Sequence, residues 1–392
     1  MRILVSTFGS GGDLFPLVPV MNDLVGQGVE VRCVVSRTLG LYTRSCGFYT
    51  YALGDASELR GLRDDNLYCT RFDGWLSTRR TLVNHIGPTL ASDVQQIDGL
   101  LKEWRPDLLI ASGYAVAARI ACLRLGLNVM CATIFAQHFS MARAVRSFAR
   151  PFLRQVEDSA GPRLLDSAGM ARLAWGLQVP TVLMHDCALM GNQAPEGAEV
   201  VGYPYWDSVP ANKDDAEHLQ DWFDSSSEAP VLVTLGSFLG LRQHKVWHEI
   251  ANTVDRLGIR AAFVGVDKRW AMDAFSDRPN LCCVGFVPLS PFFRQAAAII
   301  HHGGLGTTIG TLGSGTPAVV LPQAFDQPFN ARLVEAAGVG RDALGGDLPS
   351  CIADVLGDRA YRERSEVLAT QLVDPTVAAN RVAAQAIAIA EQ

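Results

Sequence analysis

Short apolar runs, many of them rich in valine and isoleucine, alternate with helix-like stretches along the first part of the chain. Nearly continuous apolar strands separated by helices are typical of a parallel sheet that is covered on both faces. In this half the pattern predicts strands at Ile3–Thr7, Val29–Ser36, Asp107–Ala111, Val129–Thr133 and Glu199–Gly202, and helices at Leu14–Gln27 and Ala115–Leu125.

The same alternation restarts near residue 230. It predicts strands at Val231–Leu235, Ala261–Val264, Leu281–Val284, Ala298–His301 and Ala318–Leu321, a helix at about Val246–Leu257 and another from Thr307 onward. The alanine-rich stretch Val377–Ala390 has a strong helix propensity. A charged, serine-rich segment at 211–228 separates the two halves, as a linker would. We therefore predict an α/β protein of two Rossmann-like, doubly wound domains that face a cleft.

Composition narrows the class of partner. The chain has 392 residues, 48% of them hydrophobic and 19% charged, and a net charge of −6. A length of this order favours two cores over one, and the net charge argues against a nucleic-acid partner. No run of 18 uninterrupted apolar residues is present, so no transmembrane segment is expected, although peripheral membrane contact stays open.

The compartment is inferred from the N-terminus and the cysteines. The chain enters strand Ile3–Thr7 at once and shows no secretory signal pattern. Nine cysteines are dispersed without C-x-x-C spacing, which favours reduced thiols over disulfides or a zinc site. We expect a cytoplasmic protein without a resident metal or cofactor, and either a monomer or a homodimer.

A first glycine turn, Gly9–Asp13, lies between the first predicted strand and helix. It lacks the third glycine of a dinucleotide-binding fingerprint, but Arg37 at the end of the second strand leaves NADP binding open. Asp13 has two possible roles. It is placed to cap the helix that begins near Leu14, and it also lies at the carboxyl end of a strand, where catalytic groups gather.

A second glycine turn follows strand Ala298–His301 and reads His301-His302-Gly303-Gly304-Leu305-Gly306-Thr307-Thr308. Bare main-chain amides at a helix N-terminus form an anion site, to which histidine and threonine side chains add donors. This arrangement suits a diphosphate without lysine or metal. A purely structural strand-to-helix turn is the alternative. Further on, Asp326-Gln327 offers acceptors and donors suited to sugar hydroxyls, or forms only a polar turn.

Six motifs in order carry a resemblance to a known family: Gly9–Pro16, Val201–Pro204, Thr234–Ser237, Val284–Pro288, His301–Thr308 and Pro322–Asn330. Over essentially its whole length the chain resembles the family 1 nucleotide-sugar glycosyltransferases of GT-B fold. It is most similar to the bacterial branch that includes antibiotic, sterol and rhamnolipid glycosyltransferases.

The resemblance implies a role for each motif. The donor diphosphate would contact a set of small or polar residues, namely Ser237, His302, Gly304, Gly306, Thr307 and Thr308. The main chain of Val287 would bind the nucleobase, and Asp326 and Gln327 would bind the transferred sugar. Asp13 would be the catalytic base. Family members differ by one residue at the histidine pair, and the spacing to Gly306 favours His302 over His301.

The resemblance also implies a domain plan. Residues 1–206 would bind the acceptor, 207–228 would be the linker, 229–375 would bind the nucleotide sugar, and 376–392 would form a helix that packs back on the first domain. The acceptor pocket is predicted to include Phe15, Trp75, Phe135, His138 and Phe139. No histidine lies near Asp13, so His138 is the other candidate base, with an ordinary loop histidine as the alternative.

The predicted reaction is an inverting, metal-independent transfer of a hexose or deoxyhexose from a dTDP- or UDP-sugar to a hydroxyl of a small hydrophobic acceptor, such as a natural-product aglycone or a lipid. Three alternatives stay open: a nucleotide-sugar epimerase of the same shape, a catalytically silent protein that binds a sugar nucleotide, and an NADP-dependent oxidoreductase. Turnover of the donor alone, absence of transfer to any aglycone, and oxidation of reduced cofactor would distinguish them.

Overall fold

A computed structural model describes residues 1–54, 81–136, 179–195, 198–208, 212–236 and 244–392. These residues form two compact units. The first comprises the described residues up to Trp206 together with Val373–Gln392, and the second comprises those from Asp207 to Leu372. Each unit contains its own parallel sheet and is described separately below.

The first unit is built on a seven-stranded sheet among the described residues, with strand order β3-β2-β1-β4-β5-β6-β7 and parallel pairing throughout. Its strands are β1 Arg2–Thr7, β2 Glu30–Ser36, β3 Tyr49–Leu53, β4 Leu108–Ala111, β5 Asn128–Thr133, β6 Thr181–Leu183 and β7 Glu199–Val200. Val5 of β1 pairs with Cys33 on one side and Ile110 on the other. The strand order therefore reverses between β1 and β4, where such sheets bind ligands.

Helices cover this sheet. Those described are α1 Gly11–Leu14, α2 Leu17–Gly26, α3 Leu39–Ser45, α4 Leu90–Glu103, α5 Val116–Arg124 and α6 Cys187–Met190, with a π-helical turn at Thr81–Ile86 and 3₁₀ turns at Gly87–Thr89 and Gly191–Gln193. The single helix predicted at Leu14–Gln27 is thus two helices. Pro16 lies between them, and its missing N–H and ring disfavour a continuous helix there.

The second unit contains a six-stranded parallel sheet among the described residues, with strand order β10-β9-β8-β11-β12-β13. Its strands are β8 Val231–Thr234, β9 Ala261–Val264, β10 Leu281–Val284, β11 Ala298–His301, β12 Ala318–Val320 and β13 Gly340–Asp342. Side chains from the strands and flanking helices, such as Val233, Trp247 and Phe263, form a fully buried core. Both sheets are doubly wound, as predicted.

The described helices of this unit are α7 Lys213–Asp224, α8 His244–Leu257, α9 Lys268–Phe275, α10 Ser290–Phe293, α11 Leu305–Gly313, α12 Gln327–Ala336, α13 Leu348–Gly357 and α14 Arg359–Ala369. Helix α7 corrects the prediction that 207–228 is a linker. Asn212 caps its N-terminus, and Leu219 and Phe223, four residues apart, are buried in the second unit. This part of the segment therefore belongs to the second unit.

The C-terminal helix, α15 Pro375–Ala390, packs on the first unit, as predicted. It lies against α2 and β5 and buries Ala378, Val382, Ala383 and Ala386. Ahead of it, Asp186 Oδ2 accepts a hydrogen bond of 2.8 Å from the amide of Val373. The helix is therefore an integral layer of the first unit. In the described part of the chain no helix has the length and apolarity required to cross a membrane.

Candidate functional site

The strand order of the second sheet reverses between β8 and β11, so the turns that follow these two strands are adjacent. His301, the last residue of β11, is in register with Thr234, the last residue of β8. The chain then continues through Gly236 on one side and through His302, Gly303 and Gly304 on the other. Carboxyl ends of strands at such a reversal are where open α/β sheets bind their ligands.

The two adjacent histidines have different environments. His301 is fully buried, and its Nδ1 accepts a hydrogen bond of 3.0 Å from the amide of Gly303. Burial, together with the neighbouring His302, lowers the pKa of His301 to about 3, so its imidazole is neutral and shapes the turn. His302 is partly exposed. Of the pair, His302 is therefore the one placed to contact a ligand.

His302 lies between two glycines. A Cβ on Gly236 would lie 2.6 Å from His302 Cε1, and a Cβ on Gly304 would overlap His302 Nε2. A side chain at either position would force the imidazole to move. Burial lowers the pKa of His302 to about 4, with the main chain of Thr234 opposing that shift. At neutral pH the ring is therefore a neutral hydrogen-bonding group held in one place.

Helix α11 begins three residues after this histidine, at Leu305. Its N-cap is Gly304, in extended conformation, and no described side chain caps it. Helices α7, α9, α13 and α14 of this unit each have a capping Asn or Asp, whereas α12 also lacks a side-chain cap. The amides of the first turn, which include those of Gly306 and Thr307, thus point outward beside His302 with the positive end of the helix behind them.

Thr308 does not match its prediction. Its side chain is fully buried, and its hydroxyl donates a hydrogen bond of 3.0 Å to the carbonyl of Gly304. This hydroxyl was expected to contact a diphosphate. It is instead bonded to the carbonyl four residues earlier, a bond that threonine often makes within helices. Thr307 remains partly exposed. Ser237, the other predicted hydroxyl donor, lies outside the described residues.

Asp326 and Gln327 are brought next to this turn. Phe325 adopts a left-handed conformation with φ of 57°, which is unusual for a residue other than glycine and is frequent at ligand sites. Asp326 is 8% exposed, and burial raises the pKa of its carboxyl to about 6. The side-chain oxygen of Gln327 accepts hydrogen bonds from the amides of Gln323 and Ala324, at 2.7 and 2.9 Å.

The turn around Val287 is anchored at both ends. Asp215 Oδ2 accepts a hydrogen bond of 3.1 Å from the amide of Gly285, and Asp215 Oδ1 pairs with Lys268 at 2.5 Å. Asp207 Oδ2 accepts from the amide of Ser290 at 2.8 Å. The Val287 side chain is buried, so its main chain is what the turn can offer to a planar base. Asp207 and Asp215 come from the segment predicted as a linker.

Asp13 of the first unit has a different structural role from the one predicted. Helix α1 begins at Gly11, and its N-cap is Ser10, not Asp13. Asp13 Oδ2 accepts hydrogen bonds from the amide of Ser10 at 2.9 Å and from its hydroxyl at 3.3 Å, which completes a capping box. Gly9 has a φ of 121°, and a Cβ there would overlap the carboxylate.

Aromatic rings lie, like Asp13, at the carboxyl end of the strands of the first sheet. Phe15 packs edge-on against Tyr42 at 5.5 Å and Trp206 at 5.3 Å between ring centroids. Phe135 packs against Tyr114 at 5.6 Å. The other predicted members of the acceptor pocket lie outside the described residues; they are Trp75, His138 and Phe139.

Sequence reasoning missed Asn330. Its side-chain amide donates to the carbonyl of Gly303 at 2.8 Å and to Asp326 Oδ2 at 2.9 Å, and so joins the glycine turn to Asp326. The spacing from Asp326, four residues along a helix, was a local signal that the two side chains are neighbours. The contact with Gly303 was not visible, because it depends on the packing of α12 against the turn.

The chain is similar to known glycosyltransferases. A family model described as the erythromycin biosynthesis protein CIII-like C-terminal domain matches residues 262–389. The elloramycin glycosyltransferase of Streptomyces olivaceus is 31% identical over 387 residues, which cover 95% of this chain and 93% of that protein. The sterol 3-beta-glucosyltransferase of Arabidopsis thaliana is 27% identical over 98% of this chain, which spans 65% of that relative's length.

Solved structures share the architecture. The spinosyn rhamnosyltransferase complexed with thymidine diphosphate has a TM-score of 0.68 at 24% identity, and the match covers 97% of this chain and 100% of that one. These two parallel-sheet domains therefore recur in proteins of low sequence identity. The residues matched by the family model include the glycine turn, Asp326 and Asn330.

Proposed function

This chain belongs to the antibiotic glycosyltransferases of GT-B fold, and on that premise we propose that it transfers a hexose or deoxyhexose from a dTDP- or UDP-sugar to a hydroxyl of a small hydrophobic acceptor. In support, one relative is named as an elloramycin glycosyltransferase, and one solved neighbour is a spinosyn rhamnosyltransferase complexed with thymidine diphosphate. The acceptor class rests on the aromatic pairs around Phe15 and Phe135.

One observation carries the proposal. The second sheet places a partly exposed histidine, His302, and the uncapped first turn of α11 side by side at its strand-order reversal. Diphosphate oxygens need several N–H donors and a positive potential, and this turn offers both without a lysine. Asp326 and Gln327 lie beside this turn and would bind the sugar hydroxyls. The main chain of Val287 would bind the nucleobase.

The proposed reaction is a single displacement with inversion at the sugar carbon. The carboxylate of Asp13 takes the proton of the acceptor hydroxyl, and the acceptor oxygen attacks the anomeric carbon. The bond from that carbon to the phosphate oxygen breaks, and the nucleoside diphosphate leaves with its electron pair. Amides of the α11 first turn and His302 stabilise the negative charge that develops on the diphosphate, a contribution of about 3–4 kcal/mol for a preorganised donor.

The capping contacts of Asp13 are compatible with this role. They hold Oδ2 in a fixed orientation, which limits the reorganisation needed before proton transfer. A positioned general base contributes about 10²- to 10⁴-fold in rate. We propose that charge stabilisation by the helix and His302 suffices without a metal ion.

The test begins with a thermal-shift screen of UDP- and dTDP-sugars against the full-length protein. The donor that stabilises it most is then incubated with hydroxylated hydrophobic aglycones, with and without EDTA, and products are identified by mass spectrometry. The proposal predicts an acceptor whose mass increases by one sugar, and activity that survives EDTA. Conversion of the donor to an isomer without acceptor would instead identify an epimerase, and a loss reversed by Mg²⁺ would overturn the metal-free mechanism.

A further inference from the structure

The side chain of Asn330 connects two parts of the donor site that are far apart in sequence. It is 1% exposed and lies on α12, four residues after Asp326. Its Nδ2 donates one hydrogen bond to the carbonyl of Gly303 at 2.8 Å and another to Asp326 Oδ2 at 2.9 Å. One amide group therefore spans the glycine turn and the carboxylate.

The two elements that Asn330 joins are in close contact. Gly303 has a φ of 87°, and a Cβ on it would lie 2.8 Å from the side chain of Val320 and 3.0 Å from the carbonyl of Gln327. The glycine turn can approach the start of α12 this closely only because Gly303 lacks a side chain. Any shift of Asn330 would therefore change the position of Asp326 relative to the turn beside His302.

The electrostatic surroundings of Asp326 make this contact important. Burial raises the pKa of its carboxyl to about 6, and the hydrogen bond from Asn330 opposes that shift. The titratable side chains on the adjoining turn are His301 and His302, and both are neutral near pH 6. Among the described residues no charged side chain contributes to the shift at Asp326, so Asn330 is the side chain that favours the carboxylate.

We propose that Asn330 is a positioning residue for sugar recognition: its amide keeps Asp326 ionised and oriented toward the sugar hydroxyls, and it fixes Asp326 against the turn that holds the diphosphate. This inference rests on the proposed function and adds a pH-dependent determinant of sugar binding to it. An ionised carboxylate accepts hydrogen bonds from two vicinal hydroxyls, whereas a protonated one loses part of that capacity.

The experiment compares the parent with Asn330→Ala and Asn330→Asp. Dissociation constants for dTDP and dTDP-glucose, and for UDP and UDP-glucose, are measured by calorimetry from pH 5 to pH 8. The ratio of the diphosphate constant to the nucleotide-sugar constant contains the contribution of the sugar and the titration of the terminal phosphate of dTDP or UDP, and the latter cancels when parent and variants are compared. Once the titration of the terminal phosphate is subtracted, the parent's ratio should rise as Asp326 ionises, with a midpoint near the Asp326 pKa of about 6.

Each variant should move that midpoint upward. Asn330→Ala removes the hydrogen bond to the carboxylate; a rise of about one pH unit would roughly halve the ionised fraction at pH 7 and weaken nucleotide-sugar binding there about twofold. Asn330→Asp should move the midpoint further, because two adjacent carboxyl groups share one proton. Asn252→Asp is the matched control; it makes the same change at an exposed position of the second unit and should leave the midpoint in place.

A direct measurement covers the case in which Asn330→Ala fails to fold. The side-chain carboxyl carbon of Asp326 is labelled with ¹³C, and its NMR signal is assigned by its absence in Asp326→Asn. The pH titration of this signal is then measured without nucleotide in the parent and in Asn330→Asp. A midpoint that is the same in both proteins would overturn the inference. The inference would also be overturned if the variants lost thermal stability and their affinities for dTDP and for dTDP-glucose fell by the same factor. That pattern indicates a purely structural role.

The same data separate this inference from the proposed function. If neither dTDP nor UDP binds the parent protein, the proposed function fails and the inference fails with it. If a diphosphate binds but the sugar ratio has the same pH midpoint in the parent and in both Asn330 variants, the proposed function stands and the inference alone is overturned.

Discussion

Neighbouring residues of the same type perform different tasks in the glycine turn. His301 completes strand β11 and bonds the amide of Gly303, while His302 lies between Gly236 and Gly304 with part of its ring exposed. The difference follows from the end of the strand, because all four residues of β11 are buried and His302 is the first residue beyond it. The end of strand β11 thus leaves His302 as the histidine whose ring a ligand can reach.

The pH dependence of diphosphate binding should reveal this contact. Because the pKa of free His302 is lowered to about 4, a bound diphosphate will raise it, and the complex will take up protons that the free protein does not hold. Affinity for dTDP should therefore increase as pH falls from 7 toward 5, beyond the effect of the nucleotide's own titration. His302→Gln keeps an N–H donor but cannot become charged.

The measurement is calorimetry of dTDP with both proteins at several pH values. The difference between parent and His302→Gln removes contributions from the nucleotide and from other groups. Identical pH profiles for the two proteins would contradict a direct contact between His302 and the diphosphate.

Substitution of Asp13 separates its capping role from its proposed chemistry. Asp13→Asn retains an oxygen that can accept from the amide of Ser10, so the free energy of unfolding should fall by less than about 1 kcal/mol. The amide cannot take a proton, so transfer should slow about a hundredfold or more, while donor affinity stays near that of the parent. Thermal unfolding and single-turnover transfer with the substrates found by the screen measure both effects.

A melting temperature several degrees lower with unchanged turnover per folded molecule would show that Asp13 only caps α1. Unchanged stability and unchanged turnover would place the base elsewhere, and His138→Ala would be the next variant to measure.

Among the elements, the turn Gly285–Ser290 depends on two aspartates that hold its ends. If Val287 binds the nucleobase, Asp215→Ala should release the amide of Gly285 and weaken binding of thymidine and dTDP by a similar factor, about tenfold. The adjacent Asp214→Ala is a suitable control, because Asp214 is exposed. Calorimetry with both ligands checks the prediction. A loss confined to dTDP would assign Asp215 to the phosphate region instead.

The hydrophobic pattern predicts some elements fully and misses others. Strands Ala261–Val264, Leu281–Val284 and Ala298–His301 have the predicted bounds, because each is a short apolar run; the first and third are fully buried, and Leu281–Val284 is predicted correctly although it is a partly buried edge strand. Strands Tyr49–Leu53 and Gly340–Asp342 were not predicted. Both are at sheet edges and only partly buried, so their composition carries little strand signal.

The candidate site shows the same division. The sequence identified the glycine turn, because glycines and a histidine at a strand-to-helix junction are a local signal for an anion site. It could not show that the Thr308 hydroxyl bonds within its own helix, or that Asn330 reaches Gly303 from 27 residues away, because both follow from packing. Helix α7 was hidden by its charges, although Leu219 and Phe223 already had helical spacing.

On the scale of the whole molecule, the chain leaves the first unit at Trp206 and returns to it at Val373. The return is fixed by specific contacts. A Cβ on Gly202 would lie 2.7 Å from the side chain of Val373, and Arg381 donates to the carbonyl of Val201 at 3.3 Å. The motif Val201–Pro204, which helped to carry the family resemblance, thus receives the C-terminal helix.

Removal of this helix should destabilise the first unit. A chain that ends after Asp374 loses the buried Val382 and its buried alanine neighbours, and full burial of one valine alone is worth about 1.5–3 kcal/mol. The unfolding transition of the first unit should move to lower temperature, while a chain that lacks only Glu391 and Gln392 serves as the control. Calorimetric scans of both chains that coincide with the parent's would show that α15 is dispensable.

The central claim is that the turn from His302 to Thr307 binds a nucleoside diphosphate. Titration calorimetry of dTDP against thymidine, and of UDP against uridine, with the full-length protein tests it most directly. We predict that one diphosphate binds at least about a hundredfold more tightly than its nucleoside, since two or more hydrogen bonds to a charged group are worth about 3 kcal/mol or more. Equal affinities of diphosphate and nucleoside for both bases would contradict the claim.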